Sequence, residues 1–216
     1  MLRHLVDRLR LVPSIDEIVL ATTVNPADDI LIEFARDAEI ASYRGSEDDV
    51  MQRVIDAAAS VKADLVVEIT DDCPIIDPMI VEQVIRMYHA NSCDYASNAH
   101  IRSYPDGMDV QVFPLDVLRR SASMTDDVLD HEHVTLHIRN HPELFKQCHL
   151  VAGPDCHWPD LGLTLDTRED LALLTKIIEL FEPERRMFSC LDVVSLLRQR
   201  PDLIAINASV RRKGDS

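Results

Sequence analysis

The sequence predicts a three-layer α/β domain built on a mostly parallel sheet, and three observations carry that expectation. Short apolar runs alternate with amphipathic stretches of helical period along most of the 216 residues, the pattern of a sheet covered on both faces. The chain is 46% hydrophobic and 28% charged, ordinary for one globular unit and enough to bury one substantial core. Two of the apolar runs end on carboxylates, EITDD (68–72) and LTLD (163–166). An unpaired charge buried inside a strand costs several kcal/mol, so those acids belong at the rim of the sheet.

Each element has a local reason. Leu2, Leu5, Val6, Leu9 and Leu11 follow helical spacing, and EIVLAT (17–22) reads as a short buried strand. Asp28 and Asp29 open a helix through Ala38, with Ile30, Leu31 and Phe34 on one face. SYRGS (42–46) offers an extended piece and a turn at Gly45, after which Ser46 and Asp49 announce a helix over 47–61. A strand over 64–70 follows, then a helix from Pro78 to Ala90 and a strand at DYASNA (94–99). Pro105-Asp106-Gly107 marks a turn and Val110 to Phe113 a strand. The rest of 100–160 is less regular, and we expect a flap or dimer arm there within a single domain spanning 1–216. LGLTLD (161–166) reads as another strand, followed by a helix over 167–181. Ser189 caps a last helix to Arg200, and SVRRKGDS is a polar tail.

Composition excludes several classes. A net charge of −16 with only four lysines argues against a protein that grips phosphate backbones. No apolar run reaches the roughly 20 residues of a membrane helix, and charges interrupt MLRHLVDRLRLV, unlike the apolar centre of a secretory signal. Five cysteines, at 73, 93, 148, 156 and 190, make an odd number without metal-type spacing, as expected of reduced thiols in cytoplasm.

Ligands of such sheets bind at the carboxyl ends of strands. If the two acid-tipped strands are neighbours, Asp72 and Asp166 converge, and two carboxylates in one cleft repel unless a cation such as Mg²⁺ lies between them. The competing reading makes both of them helix N-caps. His133, His137 and His141 recur at helical spacing, but Thr135 spoils the H-E-x-x-H zinc pattern, so a structural helix is preferred to a metal site. None of the five glycines falls in a phosphate-cradling G-x-G-x-x-G or G-x-x-x-x-G-K pattern.

RGSEDDV (44–50), EITDDCPIIDP (68–78), YPDGMDVQVF (104–113), HEHVTLHIR (131–139) and LTLDTREDL (163–171) together resemble the cytidylyltransferases of bacterial surface-sugar synthesis. The nearest branch resembles the spore-coat polysaccharide biosynthesis F-type proteins, related to the synthetases of CMP-sialic acid and CMP-ketodeoxyoctulosonate. The resemblance implies a Rossmann-like sheet of nucleotide-diphospho-sugar transferase type, CTP and a sugar or sugar-acid acceptor as partners, Mg²⁺ as cofactor and a homodimer. It assigns Asp72 and Asp166 as metal ligands and turns Arg53, Asp71, Asp109, Glu132 and His133 toward substrate; no general base stands out.

Departures from the family pattern are equally legible. The family opens with a strand and an A-R-x-x-S-x-R-L-P-G-K loop, and this sequence starts just after where that loop would end. The first strand is therefore expected to be missing, as in a truncated or degenerate copy. Asp71 replaces a usual glycine, Gln111 a glutamate and Arg168 a proline. The alternative function is a non-catalytic remnant or interaction module with the same fold. Another Mg²⁺ phosphotransfer domain is disfavoured, because ITDDCP is not D-x-D.

Overall fold

The computed structural model describes residues 1–181 and 187–211. Its first half runs α1 (Leu2–Leu9), β1 (Val19–Thr23), α2 (Asp29–Asp37), β2 (Ala41–Gly45), α3 (Val50–Ser60), β3 (Leu65–Glu68) and α4 (Pro78–Ala90). There follow β4 (Tyr95–Ser97), β5 (Gln111–Pro114), α5 (Leu115–Ala122), α6 (Val128–Glu132), α7 (Leu136–Asn140) and β6 (Gln147–His149). The chain closes with α8 (Arg168–Phe181), α9 (Cys190–Gln199) and α10 (Pro201–Ile204).

The strands form a parallel pair, β1-β2, and a four-stranded sheet ordered β3-β5-β4-β6. In the larger sheet β3, β4 and β6 share one direction and β5 alone is reversed, so the fold is the expected mixed α/β with a mainly parallel sheet. Alternation along the strands sorts two apolar layers. Ala96, Val112, Leu65 and Val67 face α4, α8 and α9, through Val84, Ile177 and Val194 among others. Tyr95, Phe113 and Val66 face the opposite way, onto α3, α5 and α7, where Met51, Leu118 and Ile138 are buried. Helices thus cover both faces.

Side-chain caps fix several of the helix starts. Asp49 accepts from Gln52 N at α3, and Ser189 forms a capping box with Asp192 at α9. The N-terminal helix is tied down by Arg8, whose buried guanidinium donates to Ile76 O (2.6 Å) and Phe188 O (2.5 Å) and lies over the Phe188 ring.

Two expectations need correction. LGLTLD is extended but is not a strand: Leu161 O accepts from Asp106 N, Leu163 N donates to Asp106 O, and Leu165 N then switches partner to Asp72 O. Only an isolated bridge, Asp106 to Gly162, forms, because no single neighbour runs alongside for long enough. The histidine segment is not one helix either. Val134 adopts φ of 44° between α6 and α7, so His133, His137 and His141 do not share a helix face. His137 is buried against Ser121 Oγ (3.0 Å) with its ring 4.5 Å from that of His141. Helix α5 and strand β6, which supply part of the 100–160 region, are elements the sequence pattern did not announce. Most of the polar tail, 212–216, lies outside the described residues.

Candidate active site

Strand β3 ends at Glu68, and the chain then turns through Thr70, Asp71 and Asp72 before Cys73 dives into the core. Asp72 accepts from Thr70 Oγ1. A matching Thr-x-Asp turn lies at the end of LGLTLD, where Asp166 accepts from Thr164 Oγ1 (2.8 Å). The two turns adjoin, since Leu165 N donates to Asp72 O (2.8 Å). Two turns separated by 94 positions in sequence, each carrying an aspartate, are therefore joined by a backbone hydrogen bond beyond the end of β3.

Neither of these acids caps the helix that follows. Asp77 performs that task for α4, its Oδ1 accepting from Met79 N (2.8 Å) while Oδ2 accepts from Cys190 N (2.7 Å) at the start of α9. At α8 Thr167 does it, its Oγ1 accepting from Asp170 N (3.2 Å) while the buried Asp170 Oδ2 accepts in return from Thr167 N (2.9 Å). With the capping positions occupied by other residues, the N-cap reading of Asp72 and Asp166 loses its basis.

Around this pair the site is rich in charge. Asp71 is solvent-exposed at the mouth, yet desolvation by the surrounding walls, ahead of the Asp72 charge, raises its carboxyl, while Arg53 pulls it back. Arg53 packs its stem against Gly45, where an added Cβ would approach Arg53 Cγ to 2.8 Å, and donates to Ser46 O (2.6 Å). Its Nε is buried with no hydrogen-bond partner. Deeper in, burial lifts Glu68 to about 7, against the pull of Arg139 and of Gln111, which donates to it. Asp109 is likewise lifted to about 7, first by burial and then by the adjacent Asp106, itself held by Arg102 at 3.2 Å.

Of the residues singled out by sequence, Asp72 and Asp166 lie on turns joined through the Leu165 N to Asp72 O bond, Asp71 meets the field of Arg53, and Asp109 lies close enough to influence Glu68 and Cys73. Glu132 and His133 are exposed, and their side chains make no hydrogen bond or ion pair with any described residue. Glu68 and Arg139 were missed by the sequence reading. The available signal was an acid closing an apolar strand in VVEIT and an arginine closing HEHVTLHIR. Two cavities of about 550 and 570 Å³ lie elsewhere, one beside Arg102, Asp106 and Asn207, the other beside Tyr88, Pro114 and Arg119. The acid pair instead sits on the open strand edge, where sheets of this class bind ligands. Among the described residues no helix is long and apolar enough to cross a membrane.

Comparison with known proteins gives the family and the fold. The family model described as cytidylyltransferase matches residues 1–193. The spore coat polysaccharide biosynthesis protein SpsF of Bacillus subtilis is 30% identical over 203 residues, covering 93% of this chain and 80% of its own. An uncharacterized protein of Methanocaldococcus jannaschii is 29% identical over 215 residues, covering 98% and 85%. A solved cytidylyltransferase from Leptospira borgpetersenii superposes with a TM-score of 0.90 at 27% identity, covering 98% of this chain and 87% of that one. A CMP:2-keto-3-deoxy-manno-octonic acid synthetase solved with CTP shares the fold, with a TM-score of 0.55, 14% identity and coverage of 85% and 88%. A sheet edge that brings two unshared Thr-x-Asp turns together, in a chain matched along most of its length, belongs to the cytidylyltransferase family.

Proposed function

We propose that the protein transfers CMP from CTP to a sugar acceptor. A sugar hydroxyl attacks the α-phosphorus, the bond to the bridging oxygen breaks, and pyrophosphate leaves. The observation that carries this reading is the Leu165 N to Asp72 O bond, which joins the two aspartate-bearing turns while Asp77 and the Thr167–Asp170 pair cap the helices that follow. The SpsF relative belongs by its name to polysaccharide biosynthesis, and the synthetase of the same fold was solved with CTP.

Mg²⁺ fits the donor set. Among the described residues no group of three or more His, Cys, Asp or Glu gathers around one point, and a pair of hard carboxylates completed by phosphate oxygens and water is the mode this ion favours. Asp72 and Asp166 would hold it, and when bound it supplies charge neutralisation at the phosphate oxygens. The threonine hydroxyls of Thr70 and Thr164 orient the two carboxylates by occupying one oxygen of each. Arg53 sets positive charge against Asp71 and offsets part of the repulsion that an acidic site presents to a triphosphate.

Pyrophosphate release from CTP, assayed with Mg²⁺ and a panel of sugars and sugar acids, tests the proposal. Asp72→Asn and Asp166→Asn each abolish release while leaving the circular dichroism spectrum unchanged. Release at the wild-type rate in either variant removes the metal-ligand assignment. No release by the wild type with any acceptor favours a non-catalytic member of the family.

A further inference from the structure

Asp166 is exposed, yet the backbone around it is gripped from two sides. Oδ2 of the fully buried Asp170 accepts from Asp166 N (3.3 Å) as well as from Thr167 N. Four residues before Asp166, Gly162 O accepts from Nδ2 of the buried Asn207 (3.1 Å). The same nitrogen donates to Asp170 Oδ1 (2.8 Å). One side-chain amide therefore spans both anchors of the 162–167 run, with one N–H on each.

The chemistry of this contact selects asparagine. A buried carboxylate must be met by hydrogen-bond donors on both oxygens, and Oδ2 of Asp170 is already engaged by the backbone of the Asp166 turn. An asparagine amide brings two N–H groups without a charge. Turned the other way, its oxygen would face Gly162 O and Asp170 Oδ1, acceptor against acceptor, so its orientation is fixed. Aspartate at 207 would set a second carboxylate against the first, and alanine would take a donor from both acceptors at once.

Asn207 lies beyond the stretch matched by the family model, which ends at residue 193. It is delivered by the turn that follows α10. That helix packs on α8 and α9, with Leu203 buried and Ile206 set against the main core. Val210 N donates back to Asn207 O (3.0 Å) and closes the turn around it. The C-terminal segment thus reaches back across 37 positions to Asp170, and through Asp170 to the backbone N–H of Asp166.

Resting on the reading of Asp166 as a metal ligand, we propose that Asn207 is a positioning residue for the transfer reaction: through Asp170 it holds the Asp166 turn in the place where its carboxylate meets the divalent ion. Asn207 acts through Asp170 rather than on the ion. A partner standing behind a metal ligand sets metal affinity by about ten- to a hundredfold. Its loss is therefore read first in metal binding and in the mobility of the turn.

The test uses nuclear magnetic resonance on the nitrogen-labelled full chain, with Mn²⁺ alone as the probe. In the wild type, Mn²⁺ at millimolar concentration is expected to broaden the amide resonances of Asp72 and Asp166. Asn207→Ala should raise the Mn²⁺ concentration for half-maximal broadening at Asp166 about tenfold or more. It should also speed hydrogen exchange at the Asp166 and Thr167 amides by a similar factor. Val194→Ala, a core truncation on α9, lowers the melting temperature and leaves both readouts at wild-type values. Asn207→Ser keeps one donor and falls between; should Asn207→Ala not fold, it carries the same expectation with a smaller loss. Wild-type Mn²⁺ affinity in a folded Asn207 variant overturns the positioning role and leaves the metal reading standing. Equal losses in Val194→Ala overturn it as well, since they would follow from stability alone. No broadening at either aspartate in the wild type removes the metal-ligand reading itself, and the proposal with it.

Discussion

Replacing Glu68 by glutamine isolates the cost of the acid that closes β3. Glu68 is partly buried and its carboxyl is lifted from 4.5 to about 7, chiefly by desolvation. A carboxyl raised in the folded state holds its proton longer there than in the unfolded chain. Native stability attributable to the group is therefore greatest below about pH 4.5 and declines as pH rises toward 7. The full displacement corresponds to roughly 3 kcal/mol for a group wholly removed from water. Partial solvent access reduces this to about 2 kcal/mol. Glutamine keeps an oxygen to accept from Gln111 and never ionises. Glu68→Gln should therefore gain about 2 kcal/mol over the wild type at pH 8 and almost nothing at pH 5. Urea denaturation at the two pH values measures this, provided both proteins show the same dependence on urea. A variant with the wild-type loss of stability between pH 5 and 8 would refute the reasoning. Asp109, also lifted to about 7, contributes a decline of its own and acts on Glu68, so the two substitutions combine non-additively.

Three further expectations concern the scaffold. Asp77→Ala removes one carboxylate that serves α4 and α9 across 113 residues, and should cost roughly 2–4 kcal/mol in urea denaturation; a loss below half of that would show the second bond to be dispensable. Gly107 holds φ of 96° with Leu163 backbone atoms 2.8 Å from where a Cβ would lie, so Gly107→Ala should lower stability by about 1–3 kcal/mol, read as a fall in melting temperature. The bond from His131 Nδ1 to Asp49 (2.8 Å) raises the imidazole above 6.5. Its stabilising contribution is complete below the ordinary value and is lost as pH climbs through the raised one. Proton resonance titration should find His131 above 6.5 and lower in Asp49→Asn, where the Thr125 carbonyl still holds part of the rise; a wild-type midpoint at or below 6.5 contradicts the pairing.

The elements legible in the sequence were those with two agreeing signals. Helices α3, α4 and α9 combine an apolar stripe with Asp49, Asp77-Pro78 or Ser189 at their starts, and β3 is an apolar run ending in acids. Strand β6 carries only Gln147, Cys148 and His149, too short and too polar for periodicity to single out, and it exists because β4 offers it a parallel partner. LGLTLD failed in the opposite sense, since an alternating apolar run was present without a lasting partner. Asp72 and Asp166 were legible because strand-end carboxylates are expensive anywhere but the rim. Glu68 and Arg139 were not, because their proximity depends on strand register and on the bend at Val134, neither of which a linear pattern encodes. Glu132 and His133 were read from resemblance, and that bend leaves them facing water.

The division of the strands into a pair and a quartet has a dynamic consequence. No ladder hydrogen bond joins β1-β2 to the other four strands among the described residues, so the pair and its helix α2 are coupled to the rest through the packing of α3 and through Arg3 and Arg10, which donate to Asp37 O and Ala38 O. Opening there need not break the β5-centred ladder, and its amides are placed to exchange with solvent through a local excursion while those of Val112 and Phe113 await global unfolding. Arg53 and Asp28 belong to the looser unit or its border, whereas Glu68 and His149 belong to the firmer one. The rim at Arg53 is therefore freer to adjust than the sheet edge at Glu68.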